Sequence, residues 1–410
     1  MGVTLKRALS IITGVTLCLT IYLAVYMFFT ITFHTSTRKK PLERWLMVAD
    51  PQIQGDERVQ REGLYGQIDV ILNDLYFTHI MNNAYLFLHP DIVFVLGDLI
   101  SRHQVGSNEF ERRIERIRAI FERKDFASPS FLPAVHNFED DRGLSSAKII
   151  PKYSITREQA APSKIPIVYL VGNHDIGYGG EIDPQRLHAW EEAFGASNRL
   201  ILSKTGHWFA IANSQTIDTT RSPVIQKRTS NYLEHMAQVT TGDPVVLIKH
   251  IPLHKEAGFC FDEPLIITRR TDSTVMKQNF MTPAATQWLL DHLQPVMIFN
   301  GHDHEGCIYT HTSVLAKRDI PEYTVRSIMG DYSGHVLVVD VHPKAHDDLS
   351  PGKFSYHIID IPFISTHLIV ALLILWGIIV AAWILILITY PRASNENLFD
   401  ATVSQVAKTE

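Results

Sequence analysis

Thiols are scarce in this sequence. Three cysteines occur among 410 residues. Cys18 lies in a long apolar run, and Cys260 and Cys307 lie far apart without metal-motif spacing, which excludes a cysteine-based metal cluster. Cys260 and Cys307 are either buried free thiols or one disulfide. No basic stripe and no interleaving of basic with aromatic residues occurs, which excludes nucleic acid as a partner. The net charge of −5 is mild. There is no Asn-x-Ser/Thr acceptor, so native N-glycosylation is excluded. No internal repeat is visible, which argues against a solenoid.

Long apolar runs, in contrast, are present at both ends. Residues 9–33 and 364–390 are uncharged and apolar. Each is long enough for a bilayer, which needs roughly 20 such residues. The first is too long for a signal peptide, and no small-x-small cleavage site follows it. It reads as an uncleaved anchor behind a short tail, residues 1–8. Between the runs, residues 42–362 form one globular domain of ~320 residues by subtraction of the two spans. Residues 391–410 form a C-terminal tail. Both ends of the domain are thereby tethered to the same membrane face.

The domain opens as strand (Trp45–Ala49), helix (Leu64–Leu88), strand (Ile92–Leu96), polar helix (Asn108–Lys124) and strand (Ile167–Val171). This βαβαβ order implies parallel strands. Helices are expected at Pro184–Phe194, Ser230–Val239 and Pro283–Leu293, with strands at Trp208–Ala212, Val245–Lys249 and Val296–Asn300. The close is β-rich, at Ile308–Thr312, Val336–Val341 and Phe354–Ile361. The expected class is α/β, two sheets sandwiched by helices. Asp125–Lys164 and Leu253–Met281 have no sustained period and follow elements that end near polar clusters. They are expected either as walls of a cleft or as surface excursions.

Five polar clusters each end an apolar run: Asp50-Pro51-Gln52, Gly97-Asp98, Gly172-Asn173-His174-Asp175, His250, and Gly301-His302-Asp303-His304. C-terminal ends of parallel strands share one edge of a sheet. Carboxylates, an amide and imidazoles gathered there, without thiolate, make a hard-to-borderline N/O metal site. Shared by two ions, such a set activates water for attack on phosphorus. Asp98 is placed to bridge the ions. Asn173 offers a carbonyl oxygen. His174 suits a general acid beside the phosphate, oriented by Asp175. His302 and His304 are expected on one side of an extended chain, as are Asp50 and Gln52. Each cluster alone has a plainer reading, as a turn, a helix cap or a satisfied core histidine.

Together the clusters resemble the calcineurin-like metallophosphoesterase superfamily, whose pattern is Asp-x-His, Gly-Asp, Gly-Asn-His-Asp/Glu, His, Gly-His-x-His. They resemble most its membrane-anchored branch that remodels GPI anchors in the early secretory pathway. The segments that carry this are Pro90–Asp98, Val171–Tyr178, Lys249–His254 and Asn300–His304. The resemblance implies a four-layer αββα sandwich flanked by two transmembrane helices. It implies two divalent ions, of manganese type. Asp50, Asp98 and His304 would hold one ion with Gln52 assisting. Asp98, Asn173, His250 and His302 would hold the other. It implies a phosphodiesterase that removes ethanolamine phosphate from a mannose of the GPI glycan, with GPI lipid or GPI-anchored proteins as substrate. Gln52 departs from the superfamily's histidine and shifts the preference from zinc toward manganese.

The same resemblance places the domain in the lumen of the endoplasmic reticulum or early Golgi. The charge bias points the other way, since Lys6 and Arg7 precede the first span while Arg38, Lys39, Lys40 and Arg44 follow it. The competing readings are a membrane-tethered phosphatase or lipid phosphodiesterase with another substrate, and a scaffold that keeps its metals for structure.

Overall fold

Four of the five strands that end on the polar clusters are inner members of two sheets, and the fifth, which precedes Gly172, is an edge strand. The computed structural model describes residues 2–35, 40–122, 134–137, 165–240, 242–313, 315, 317–344 and 353–389. In chain order, α1 (Gly2–Thr35) precedes β1 (Glu43–Val48), α2 (Asp56–Asn83), β2 (Ile92–Val95), α3 (Ser107–Phe121), β3 (Ala134–Asn137) and β4 (Ile167–Tyr169). The one-turn α4 (Asn173–Ile176) and α5 (Pro184–Phe194) lead to β5 (Arg199–Leu202), β6 (Trp208–Ala212) and α6 (Pro223–Val239). Then come β7 (Val245–Lys249), β8 (Ile266–Thr268), β9 (Val275–Gln278), α7 (Pro283–Leu293) and β10 (Met297–Asn300). β11 (Cys307–Ser313), β12 (Arg318–Thr324), β13 (His335–Pro343), β14 (Phe354–Pro362) and α8 (Thr366–Thr389) follow.

One sheet runs β14-β13-β1-β2-β4, the other β11-β12-β10-β7-β6-β5-β3. The expected βαβαβ opening is present, with β1, β2 and β4 parallel. In the second sheet β6, β7, β10 and β12 are parallel neighbours. The core between the sheets comes from alternate residues of facing strands. Trp45, Met47, Phe94 and Val168 on one side meet Phe209, Ile211, Val246, Ile248 and Phe299 on the other. A second core lies under α6 and α7, where Tyr232, Leu233, Met236, Leu289 and Leu290 cover Leu200, Trp208, Leu247 and Ile298. The architecture is the expected α/β sandwich.

Helix starts follow local chemistry. Asp183, Ser222 and Thr282 each accept a hydrogen bond from the first-turn backbone of α5, α6 and α7, and a proline follows each cap. Both features satisfy or remove amide donors that a helix leaves free. α6 therefore begins at its proline, ahead of the expected Ser230. α2 begins at Asp56 rather than Leu64, with a break at Gly63, where φ is 59°. The stretch Leu253–Met281 contains the hairpin β8–β9 and a disulfide from Cys260 to Cys307. Of Asp125–Lys164, only β3 falls within the described residues, and the C-terminal tail lies outside them.

The chain divides into two units, residues 1–28 with 366–410, and Phe29–Ser365. In the first, α1 and α8 are long and apolar enough to cross a bilayer. They run antiparallel, with the indoles of Trp376 and Trp383 donating to the hydroxyls of Thr20 (2.9 Å) and Thr13 (3.0 Å).

Candidate metal centre

The centre is built where β1, β2, β4, β7 and β10 end. Each chain turns sharply there. Asp50, Gln52, Asp98 and His302 adopt φ of 52°, 42°, 48° and 76°. Such angles are uncommon in non-glycine residues and cluster at functional sites. Neither Asp50–Gln52 nor His302–His304 is therefore extended chain, and the expected same-side alternation does not operate. The turns themselves deliver these side chains to the centre. Glycines are required beside them by close approach. A Cβ on Gly172 would lie 2.1 Å from Asp98 Oδ1, one on Gly97 2.6 Å from His250 Nδ1, and one on Gly301 2.6 Å from Asp50 Oδ2.

Asp98, His250 and His302 present ligand atoms within 4.8 Å of one another. His250 Nε2 lies 3.2 Å from Asp98 Oδ1, 3.1 Å from Asn173 Oδ1 and 3.3 Å from His302 Nδ1. The other ring nitrogens point to main-chain carbonyls. His250 Nδ1 is 2.8 Å from the Leu96 carbonyl and His302 Nε2 is 3.0 Å from that of Gln278. Such contacts fix which nitrogen carries the proton and leave the other free to bind a metal. On the opposite flank of Asp98, the Gln52 amide lies 3.4 Å from Asp98 Oδ2 and 3.0 Å from His304 Nε2. Asp50 closes the set. Its carboxylate accepts the His302 amide at 3.0 Å and lies 3.8 Å from His250 Nδ1.

All seven expected ligands thus belong to one web, and Asp98 touches both flanks. His174 joins it, with Nε2 3.8 Å from Asp98 Oδ2. The expected hydrogen bond between Asp175 and that ring is not made. His174 Nδ1 donates instead to the Ser101 carbonyl at 2.6 Å. The Asp175 carboxylate turns back to accept the amides of Gly172 (2.7 Å) and Ile100 (3.1 Å). Its place at the third residue of a one-turn helix makes it a cap.

Burial and neighbouring charges shift the protonation of the cluster. Burial would raise Asp98, but the imidazoles of His250, His174 and His302 hold it below the usual carboxylate range. Burial opposes a charge on His250, yet Asp98 raises it to about 9. Burial and then His250 push His302 down to about 3. Burial also lowers His304, to about 4. Burial raises Asp50 well above the carboxylate range. Burial and Asp98 raise Asp175 to about 8.

Among the described residues no lysine or arginine pairs with Asp50 or Asp98. Two buried carboxylates need cationic partners, and the N/O donors around them suit divalent cations. The residues present fit that group. Sequence reasoning missed the carbonyls of Leu96, Ser101 and Gln278, because a main-chain oxygen carries no residue-type signal. It also missed Tyr178 and Tyr332, whose rings meet His302 and His304 edge-on at 6.3 and 4.9 Å.

Two mixed sheets with N/O donors converging on their strand ends define a metal-dependent phosphoester hydrolase. The family model described as Calcineurin-like phosphoesterase matches residues 44–306, and the chain belongs to that family. It is 28% identical over 353 residues to an uncharacterized protein of Schizosaccharomyces pombe, covering 78% of this chain and 75% of the other. It is 26% identical to Protein TED1 of Saccharomyces cerevisiae, covering 72% and 74%. It is 23% identical to Metallophosphoesterase 1 of Danio rerio, covering 58% of each.

Proposed function

We propose that the chain is a membrane-tethered, two-metal phosphodiesterase that removes ethanolamine phosphate from a mannose of GPI anchors in the lumen of the endoplasmic reticulum or early Golgi. The observation that carries the chemistry is the web around Asp98, in which seven N/O donors from five strand ends converge. Asp98 would stand between two ions, with Asp50, Gln52 and His304 serving one and Asn173, His250 and His302 the other. Carboxylate, amide and imidazole donors together suit manganese. Bound divalent ions supply Lewis-acid polarisation of the phosphoryl group and activation of water.

The protein's own part is positional and protonic. The Ser101 carbonyl holds His174 so that Nε2 faces the centre, and its ring is part-exposed. On this reading it protonates the departing sugar oxygen. The Leu96 and Gln278 carbonyls hold the rings of His250 and His302 in register. Two features support the lumenal, membrane-bound setting. Helices α1 and α8 can cross a bilayer, and the Cys260–Cys307 disulfide suits an oxidising compartment.

Mass analysis of GPI glycans after deletion of this protein tests the substrate. Retention of an extra ethanolamine phosphate on one mannose is expected, and unchanged glycans would reject it. Turnover of an aryl phosphodiester by the purified protein with Mn²⁺ tests the chemistry separately.

A further inference from the structure

α2 is apolar on two faces, and only one of them is covered. Tyr76, Phe77, Ile80 and Met81 are buried in the domain. Leu64, Ile68, Ile71, Leu72 and Leu75 recur at i, i+4, i+7, i+8 and i+11, which makes one stripe along the helix. Each of these five is between 46% and 72% exposed. Tyr65 and Leu86 extend the exposed stripe at its two ends. Scattered apolar residues are ordinary on a protein surface, but a contiguous stripe marks an interaction site.

Two contacts beyond the stripe, towards the C-terminal end of α2, bear on what covers it. The ring of Phe87, just beyond α2, meets that of Phe29 at 6.4 Å. Phe29 lies in the last two turns of α1, where Phe33 is also exposed. The hydroxyl of Tyr76 donates to the carbonyl of Ile364 at 2.6 Å. Ile364 stands two residues before α8, a reach of at most about 7 Å. The helix that carries the stripe is therefore fastened where the chain leaves one apolar helix and again where it enters the other. With those helices in a bilayer, as the proposed function has them, this is the level of the lipid headgroups.

We propose that the outer face of α2 is a lipid-binding surface, seated in the boundary between headgroups and acyl chains of the bilayer that holds α1 and α8. Amphipathic helices lie in that plane with their apolar face a few ångströms deep. The opposite face of α2 stays on the domain. Because α2 starts at Asp56, directly after the Asp50–Gln52 segment, its seating fixes the height and tilt of the metal centre above the membrane. A substrate carried by a lipid then meets the centre at a constant distance.

The test uses the full chain with Cys18→Ser in phosphatidylcholine vesicles. Ile68→Cys, Leu75→Cys and, as a control on α6, the exposed Val224→Cys are each labelled with an environment-sensitive fluorophore. A doxyl-labelled lipid should quench the probes at 68 and 75 roughly threefold or more above that at 224, with aqueous iodide showing the reverse order. Equal iodide quenching at all three positions would overturn the proposal. So would protection at 68 and 75 from both quenchers, which identifies a second copy or another protein as the cover. Chain that fails to float with the vesicles would instead reject the membrane spans, and the proposal with them.

Discussion

Asp98 lies at the centre of the web, between Gln52 on one side and His250 on the other. Replacing it with asparagine keeps the volume and removes the charge that two ions would share. Asp98→Asn is expected to abolish turnover while leaving the fold intact, checked by kcat/KM beside a thermal unfolding curve. Activity within about tenfold of wild type would reject the two-metal assignment. Gln52 makes a second prediction. Its amide sits 3.0 Å from His304 Nε2, so an imidazole there reaches the same ion. Gln52→His should keep activity and shift it from Mn²⁺ toward Zn²⁺, since imidazole is the better donor for the later ions. Metal content and metal-dependent rates of both proteins decide this. Identical titrations would show that residue 52 does not touch the metal. The residues that converge in the web were legible because polar groups that end apolar strands stand out in the sequence. The orientation of His174 was not, because its partner is a carbonyl that any residue at 101 could supply.

At the scale of elements, β12 shows what sequence patterns hide. No strand is assigned from sequence to Arg318–Thr324, a segment whose Pro321 removes a ladder donor. Yet β12 lies between β11 and β10 and pairs with both. The reason is Glu322, which is wholly buried and gathers the ends of two ligand-bearing loops. Its carboxylate accepts from Lys249 (3.3 Å), Lys255 (2.8 Å), the Asn300 amide (2.6 Å) and the Leu253 backbone (2.8 Å). Lys249 precedes His250, and Asn300 lies two residues before His302. Burial would raise Glu322, but Lys255, Lys249 and His311 hold it well below the usual range. Its stabilising contribution is therefore complete above the ordinary glutamate pKa and is lost as pH falls through the lowered value. Glu322→Ala leaves two fully buried ammonium groups without their carboxylate. A loss of about 3–5 kcal/mol is expected from breaking one side of a buried charge network, measured by denaturant unfolding. Loss below about 1 kcal/mol, the range of exposed pairs, would show that water enters and screens the lysines. The parallel strands and the helices that start at Pro184 and Pro283 needed no such network, and the sequence showed them through apolar runs and helical spacing, whereas the start of α6 at Pro223 was missed. Glu322 was hidden because its partners lie up to 73 residues away in the chain.

For the whole molecule, two physical signals conflict over which side of the membrane the domain occupies. Basic residues Arg38, Lys39, Lys40 and Arg44 follow the first apolar helix, which favours a cytosolic domain. The disulfide favours the opposite side, since cytosolic reductants keep thiols reduced while secretory compartments allow disulfides to persist. The disulfide is the stronger signal. The charge rule describes a bias with exceptions, whereas Cys260 and Cys307 meet with a Cα separation of 5.5 Å in mid-range disulfide geometry. The crosslink closes a segment with a sequence separation of 47, and a loop of that size stabilises the fold by about 4 kcal/mol in the chain-entropy model. It ties the stretch containing β8 and β9 to β11, and Gln278 at the end of β9 holds the His302 ring. A cytosolic domain would lose this tie. We expect that protein denatured directly from cells in a thiol-blocking reagent, then reduced and labelled with a maleimide polymer, gains two labels. The free Cys18 is blocked in the first step and adds none. If no label is gained after reduction, both thiols were free in the cell, and the disulfide no longer outweighs the charge bias towards a cytosolic domain.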